Sequence, residues 1–278
     1  LETQLPEMVV NGVRTHFIRL GRGEPVALVH GFTASHAMWF QQAPALARAG
    51  FEVLAYDLRG HGDSAHPGAG YDLQTLAADL LALLDGHRLG RVHLVGLSLG
   101  GMIAQRFTLA HPERVQTLTV ADSFSGAPPE EVLALFRRHE RFGREHGLGR
   151  LFERLLVQPA LPYGPDFQLQ LRELPAYEKA FRKNRLETMS AFIAMMAGLP
   201  DWTAELARLS RPTLLLVGDH DLPCLEPMRR MRAAIPGARL EIVPRAGHSS
   251  AVEKPEEFNA RMFEFLRRHP TPGAASSC

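Results

Sequence analysis

Short apolar runs alternate with longer stretches of helical periodicity, and this alternation restricts the fold more than any other feature of the sequence. Residues 26–30, 52–58, 92–97 and 115–121 read as buried strands; 37–49, 73–84 and about 99–111 read as helices between them. Strands that lack polar alternation, with amphipathic helices between them, predict a mostly parallel central sheet flanked by helices on both faces, an α/β fold. Ahead of them, Asn11-Gly12 sits between two β-rich runs within 8–20, and both residues tolerate positive φ, which predicts a hairpin. The alternation stops near Phe124 and resumes with strands at 213–217 and 239–243 and helices at 226–234 and 256–268. The stretch between is helical in pattern, punctuated by prolines, and contains no convincing strand. The expected organisation is a core domain of residues 1–123 and 201–270, a helical cap inserted at 124–200, and a flexible tail at 271–278.

Composition narrows the function classes. With 45% apolar residues in 278, a large buried core is available. A formal net charge of +1 gives no basic surface of the kind nucleic acids or acidic membranes require. No apolar run approaches a membrane span, and no basic-then-apolar leader opens the chain. Two cysteines, Cys224 and Cys278, do not make a disulfide framework, so a cytoplasmic location is expected. Monomer and homo-oligomer are both compatible with these features.

The strongest chemical signal is Gly96-Leu97-Ser98-Leu99-Gly100, followed by Gly101. It lies between a predicted strand and a predicted helix, the context that gives G-x-S-x-G its meaning as a nucleophile turn. A serine hydroxyl needs a base, usually histidine, and a carboxylate to orient it. In a sheet of this kind the chain order is nucleophile, acid, base. Among the late histidines, His269 ends a polar helix and His220 sits between two aspartates. His248 lies in a loop leaving the carboxyl end of the last strand, where α/β sites form. For the acid, Asp221 in Gly218-Asp219-His220-Asp221 is the first choice, with Asp122 and Asp219 as alternatives. Asp57 precedes the serine and reads as structural. The oxyanion donors are expected to be the backbone N–H groups of Leu99 and of Phe32 in His30-Gly31-Phe32.

Taken together, His30-Gly31-Phe32, Asp57-Leu58-Arg59-Gly60-His61-Gly62-Asp63-Ser64, Gly96 to Gly101, Gly218 to Asp221 and Gly247-His248 resemble the α/β-hydrolase superfamily. The resemblance is to its branch of bacterial carboxylesterases, cofactor-free haloperoxidases and 3-oxoadipate enol-lactonases. It implies the α/β-hydrolase fold with a helical cap, and it supports Asp221, the last residue of Gly-x-x-Asp, as the acid. Epoxide hydrolases and haloalkane dehalogenases are also similar, but they carry Asp where this chain has Ser98. No cofactor is implied. No metal is expected either, because His61 and His66 are loop-spaced and Asp219-His220-Asp221 alone is not a ligand set.

The expected function is a serine carboxylesterase acting on a small-molecule ester or lactone through an acyl-enzyme on Ser98. Enol-lactone hydrolysis and cofactor-free perhydrolysis use the same triad, and a ligand receptor on a hydrolase fold is the alternative of a different class. Candidate substrate-binding residues are Trp39, Leu97, Phe124, Met189, Phe192, Met195 and Met196. Plain packing of the cap onto the core is the competing reading for Met189, Met195 and Met196. Cys224 reads as a small buried hydrophobe near the site.

Overall fold

The computed structural model describes residues 6–158, 161–167 and 175–270; the expected flexible tail falls outside them. Strands β1 (Glu7–Val10) and β2 (Val13–Gly21) form the expected hairpin. Its two turn residues, Asn11 (φ 46°) and Gly12 (φ 77°), both take positive φ. The remaining strands are β3 (Glu24–Val29), β4 (Phe51–Tyr56), β5 (Val92–Leu97), β6 (Val115–Ala121), β7 (Thr213–Gly218) and β8 (Arg239–Val243). They join in the order β1-β2-β4-β3-β5-β6-β7-β8, antiparallel at β1/β2 and β2/β4 and parallel from β4 onward.

The helices are α1 (Gln42–Arg48), α2 (Leu73–Gly86), α3 (Leu99–Ala110), α4 (Glu130–Val157), α5 (Pro175–Phe181), α6 (Leu186–Ala197), α7 (Leu222–Ala234), α8 (Ser250–Glu253) and α9 (Pro255–Arg267). Neighbouring residues of β3 feed opposite cores: Ala27 and Val29 pack with Leu76, Leu80, Ile103 and Phe107 of α2 and α3, while Val26 and Leu28 pack with Leu46 of α1 and Phe258 and Phe265 of α9. Burial on both faces is why the strand reads as an unbroken apolar run. Each fully buried Val or Leu side chain contributes about 1.5–3 kcal/mol of transfer free energy.

The predicted helix at 37–49 is instead a short 3-10 turn, His36–Trp39, followed by α1. Pro44 favours the break: it has no N–H to give the Phe40 carbonyl, and starting α1 at Gln42 places it in the first turn, where proline is tolerated. The helix expected at 226–234 begins a full turn earlier, with Pro223 accommodated in the first turn.

Between β6 and β7 the described residues contain helices and no strand. Helix α4 is two helical pieces meeting at Gly147, whose φ of 81° and ψ of 162° favour glycine. Leu151 and Phe152 of α4 pack with Phe181 and Met189, and Leu133 with Ile193 and Met196, so the insertion holds a core of its own. No described helix is long and apolar enough to cross a membrane.

Candidate active site

Every residue singled out for chemistry emerges at the carboxyl end of a parallel strand. Ser98 follows β5 directly, with φ 55° and ψ −118°. This conformation is costly for a residue with a Cβ, roughly 1–3 kcal/mol, and persists only where the surroundings enforce it. Here they do: Ser98 N–H donates to the Ala121 carbonyl (2.9 Å), and the Ser123 hydroxyl donates to the Ser98 carbonyl (2.7 Å). The flanking glycines are needed for space. A Cβ on Gly96 would fall inside contact distance of the Gly100 carbonyl, and one on Gly101 would lie 2.6 Å from Ser123 Oγ.

His248 Nε2 lies 2.9 Å from Ser98 Oγ, and Nδ1 lies 2.9 Å from Asp221 Oδ2. In the neutral ring Nδ1–H donates to the carboxylate, leaving Nε2 to accept the serine proton. Asp221 is fully buried and His248 nearly so. The alternatives for the acid are placed otherwise. Asp122 accepts from Gly218 N–H (3.0 Å) and from Ser250 N–H (3.0 Å) and Oγ–H (2.6 Å), tying the end of β7 to the loop that carries His248. Asp219 accepts from the His220 ring (2.7 Å) and from Ala246 N–H (3.2 Å).

The loop of His248 is also clasped by the insertion: His248 N–H donates to the Pro162 carbonyl (2.9 Å). Glu253 accepts from Gly164 N–H (2.6 Å), Gly247 N–H (2.8 Å) and Ser249 N–H (3.0 Å).

Burial opposes a charged His248, but the Asp221 carboxylate, reinforced by Asp122 and Glu253, outweighs it and raises the pKa above the ordinary 6.5. A base must be neutral to take a proton. The acid limb of kcat/KM is therefore expected to bend above pH 6.5, with activity lost as pH falls through that point; a limb centred below 6 would contradict the assignment. Burial and the neighbouring Asp221 charge push the Asp122 carboxyl well above the usual range, against the pull of His248 and its own hydrogen bonds.

On the other side of Ser98, the Gly31–Phe32 segment comes close enough that a Cβ on Gly31 would stand 3.4 Å from the serine Cβ. His30 braces this loop. Its Nδ1–H donates to the Gly31 carbonyl (2.8 Å) while Nε2 accepts from Leu58 N–H (3.0 Å), and burial lowers its pKa to about 4, keeping it neutral. Leu99 opens α3, and the first amides of a helix have no acceptor within it. Asp57 acts structurally: its carboxylate accepts from His36 N–H (2.7 Å), His36 Nδ1–H (2.8 Å) and Asp63 N–H (2.8 Å).

Ser98 and His248 open onto a cavity of about 80 Å³ between the sheet edge and the insertion. Its walls are mostly apolar, including Phe32, Met38 and Leu97 from the core and Phe136, Leu155 and Met189 from the insertion, with Thr33, His139 and Tyr163 among them. Of the residues expected to bind substrate, Leu97 and Met189 lie here and five do not. Trp39 is fully buried against Phe258 under the sheet, and Phe124 sits in the core beneath α3, its carbonyl accepting from Gln105. Phe192 packs against His61 and Tyr71, Met196 against Leu133 and Ile193, and Met195 against the same clusters. Helix α6 turns Met189 toward the cavity and its remaining large side chains onto packed surfaces. Reading the sequence did not single out Phe136 or His139. The spacing Val132, Phe136, His139, Gly143 marks one helical face and was the available signal.

Among the described residues, two clusters bring possible metal-ligating atoms within 4.8 Å of one another: Asp221, Cys224 and His248, and His16, His36 and Asp57. In each, a histidine nitrogen and the carboxylate are already hydrogen-bonded to each other. Cys224 Sγ stands 3.6 Å from His248 Nδ1, and burial and the Asp221 charge raise its pKa well above the usual value, so it stays a thiol.

The alpha/beta hydrolase fold family matches residues 24–255. A thermophilic esterase from Thermogutta terrifontis superposes with a TM-score of 0.82 at 30% identity, covering 96% of this chain and 100% of that one. The enol-lactonase from Burkholderia xenovorans LB400 gives 0.83 at 25% identity, covering 94% and 100%. Epoxide hydrolase A of Mycobacterium tuberculosis is 31% identical over 307 residues, 92% of this chain and 95% of that protein. These similar proteins are named for different substrates: an ester, an enol-lactone and an epoxide. The chain belongs to the alpha/beta hydrolase fold family.

Proposed function

We propose that the protein is a serine carboxylesterase that cleaves small to medium carboxylic esters through an acyl-enzyme on Ser98. The observation that carries this reading is the unbroken line of hydrogen bonds from Ser98 Oγ through His248 to Asp221, opening onto a mostly apolar cavity.

In the first step Ser98 Oγ attacks the ester carbonyl while His248 Nε2 takes its proton, and the buried Asp221 carboxylate stabilises the imidazolium. The negative charge on the tetrahedral oxygen is met by the N–H groups of Leu99 and Phe32, with the N-terminal end of α3 adding a favourable dipole. His248 then protonates the departing alkoxide and the C–O bond breaks. Water, activated by the same nitrogen, attacks the acyl-enzyme and restores Ser98. A lactone follows the same steps with the alcohol still tethered to the acyl group. Epoxide opening does not suit this nucleophile, because a serine alkylated by an epoxide is an ether, with no carbonyl for water to attack.

The small cavity implies a preference for short acyl groups. With p-nitrophenyl esters from acetate to decanoate, kcat/KM is expected to peak at six carbons or fewer and to fall by at least about tenfold by decanoate. Absence of turnover on the whole series by folded protein would overturn the reading.

A further inference from the structure

The loop that brings Phe32 to Ser98 is a tight turn built from an unfavourable sequence. Ala34 N–H donates to the Gly31 carbonyl (3.2 Å), leaving Phe32 and Thr33 as the two central residues. Of these only Thr33 has a positive φ, 61°, the pattern of a type II turn, whose second central position favours Gly or Asn. A β-branched residue with positive φ is an outlier that persists only where its surroundings enforce it.

The enforcement comes from the insertion. Asn184, buried in the connection between α5 and α6, points its side-chain amide at two carbonyls: Nδ2–H donates to Thr33 O (3.0 Å) and to Phe181 O (2.9 Å). Only the nitrogen end of the amide can donate, so two carbonyl partners fix which way it faces. The connection is itself held on the core at both sides of Asn184. Lys183 pairs with Asp63, and Thr188 Oγ1 lies 3.2 Å from His66 Nδ1. The Phe32 ring is gripped by the same layer, edge-on to Phe136 of α4 (ring centroids 5.4 Å apart) and tilted against Phe192 of α6 (6.0 Å).

We propose that Asn184 is a positioning residue through which the insertion completes the oxyanion hole: its bond to the Thr33 carbonyl holds the strained turn that aims Phe32 N–H at the tetrahedral oxygen. This rests on the hydrolase reading above, in which Phe32 supplies one of the two donors. A relaxed turn carries that N–H off its target. Charge on the oxygen develops only on the way to the tetrahedral intermediates, so a misaimed donor slows acylation and deacylation alike and leaves substrate binding nearly untouched.

The test measures kcat and KM for a short p-nitrophenyl ester in wild type, Asn184→Ala, Thr33→Gly and the double variant. Inhibition by an alkyl trifluoromethyl ketone is measured alongside; Ser98 Oγ adds to its carbonyl carbon, His248 takes the proton, and the resulting oxyanion occupies the same hole. Asn184→Ala is expected to lower kcat about tenfold or more with KM little changed, and to weaken the ketone by the same factor. Glycine takes positive φ unaided, so in the Thr33→Gly background Asn184→Ala should cost at most about threefold. An equal loss in both backgrounds would mean that Asn184 does not act through the turn, which overturns the proposal. So would a lower melting temperature with kcat of the folded protein and ketone affinity unchanged, the result expected if Asn184 only pins the insertion. Hydrogen exchange of the peptide containing residues 31–34 separates the proposal from the hydrolase reading. Exchange there is expected to quicken in Asn184→Ala, and unchanged exchange rejects the tie even in an active esterase. If wild type neither turns over esters nor binds the ketone, the hydrolase reading has failed, and the oxyanion role of Asn184 falls with it.

Discussion

Replacing Ser98 by alanine is expected to lower kcat/KM for a short p-nitrophenyl ester by at least about 10⁴-fold while leaving a folded protein. The loss is large because the hydroxyl is the attacking atom and nothing else in the cavity replaces it. Cys224, a thiol close to the base, is buried beside His248 and held neutral. Folding should tolerate the change, since the turn is held by the backbone bond from Ser98 to Ala121 and by Ser123 on the Ser98 carbonyl. Ser98→Gly separates the two roles of the position. It also abolishes activity, but it relieves a backbone conformation with φ 55° that glycine adopts freely, so the melting temperature should rise relative to Ser98→Ala. Circular dichroism melts alongside the kinetics check both parts, and equal melting temperatures for the two variants would mean the turn is not strained.

Gly100→Ala is expected to do the opposite, destroying the fold before the chemistry can be measured. A Cβ at this position would overlap the Val29 carbonyl and stand 2.7 Å from the His30 carbonyl oxygen. Both belong to backbone, β3 and the loop leaving it, so no side-chain rotation makes room. Relief requires the start of α3 to move away from β3, which separates Leu99 from the Phe32 loop and opens the core around Ile103 and Phe107. An overpacking penalty against rigid backbone of about 4 kcal/mol or more is expected, enough to leave little soluble protein. A soluble, active Gly100→Ala variant with an unchanged melting temperature would show that the close approach of α3 to β3 is not required.

How far the site is legible in the sequence follows from how local its determinants are. Strands β5 and β6 run over the residues expected of them, because both are almost wholly buried and rich in Val and Leu, with only His93 interrupting β5 and Gln116, Thr117 and Thr119 interrupting β6. Ser98, His248 and Asp221 could be picked out because each sits in a short turn at the end of such a strand, and parallel strands place those turns side by side. Phe32 and Leu97 were accessible for the same reason. The insertion is different. Its helices are visible as helices, but which face meets the cavity depends on how they pack onto the sheet, which no local pattern encodes. Trp39 and Phe192 show the consequence, since a large aromatic near a site in sequence can still be spent on packing. His139 shows the converse: flanked by Arg137, Arg138, Glu140 and Arg141, it reads as part of a solvated face, yet it is the one member of that run turned inward. Pro44 is a plainer case, where the residue that breaks the helix was in view and its effect on the preceding turn had to be worked out from the missing N–H.

The central claim is that Ser98 takes the acyl group, and it is tested most directly by trapping. Incubation with a short alkyl p-nitrophenyl phosphonate, whose tetrahedral adduct mimics the first intermediate, should release one equivalent of p-nitrophenol per chain. Peptide mass spectrometry should then place a single adduct on the peptide containing Gly96 to Gly101, with His248→Asn reacting far more slowly and Ser98→Ala not at all. An adduct on another residue, or none on folded wild type that still turns over esters, would contradict the assignment of Ser98 as nucleophile.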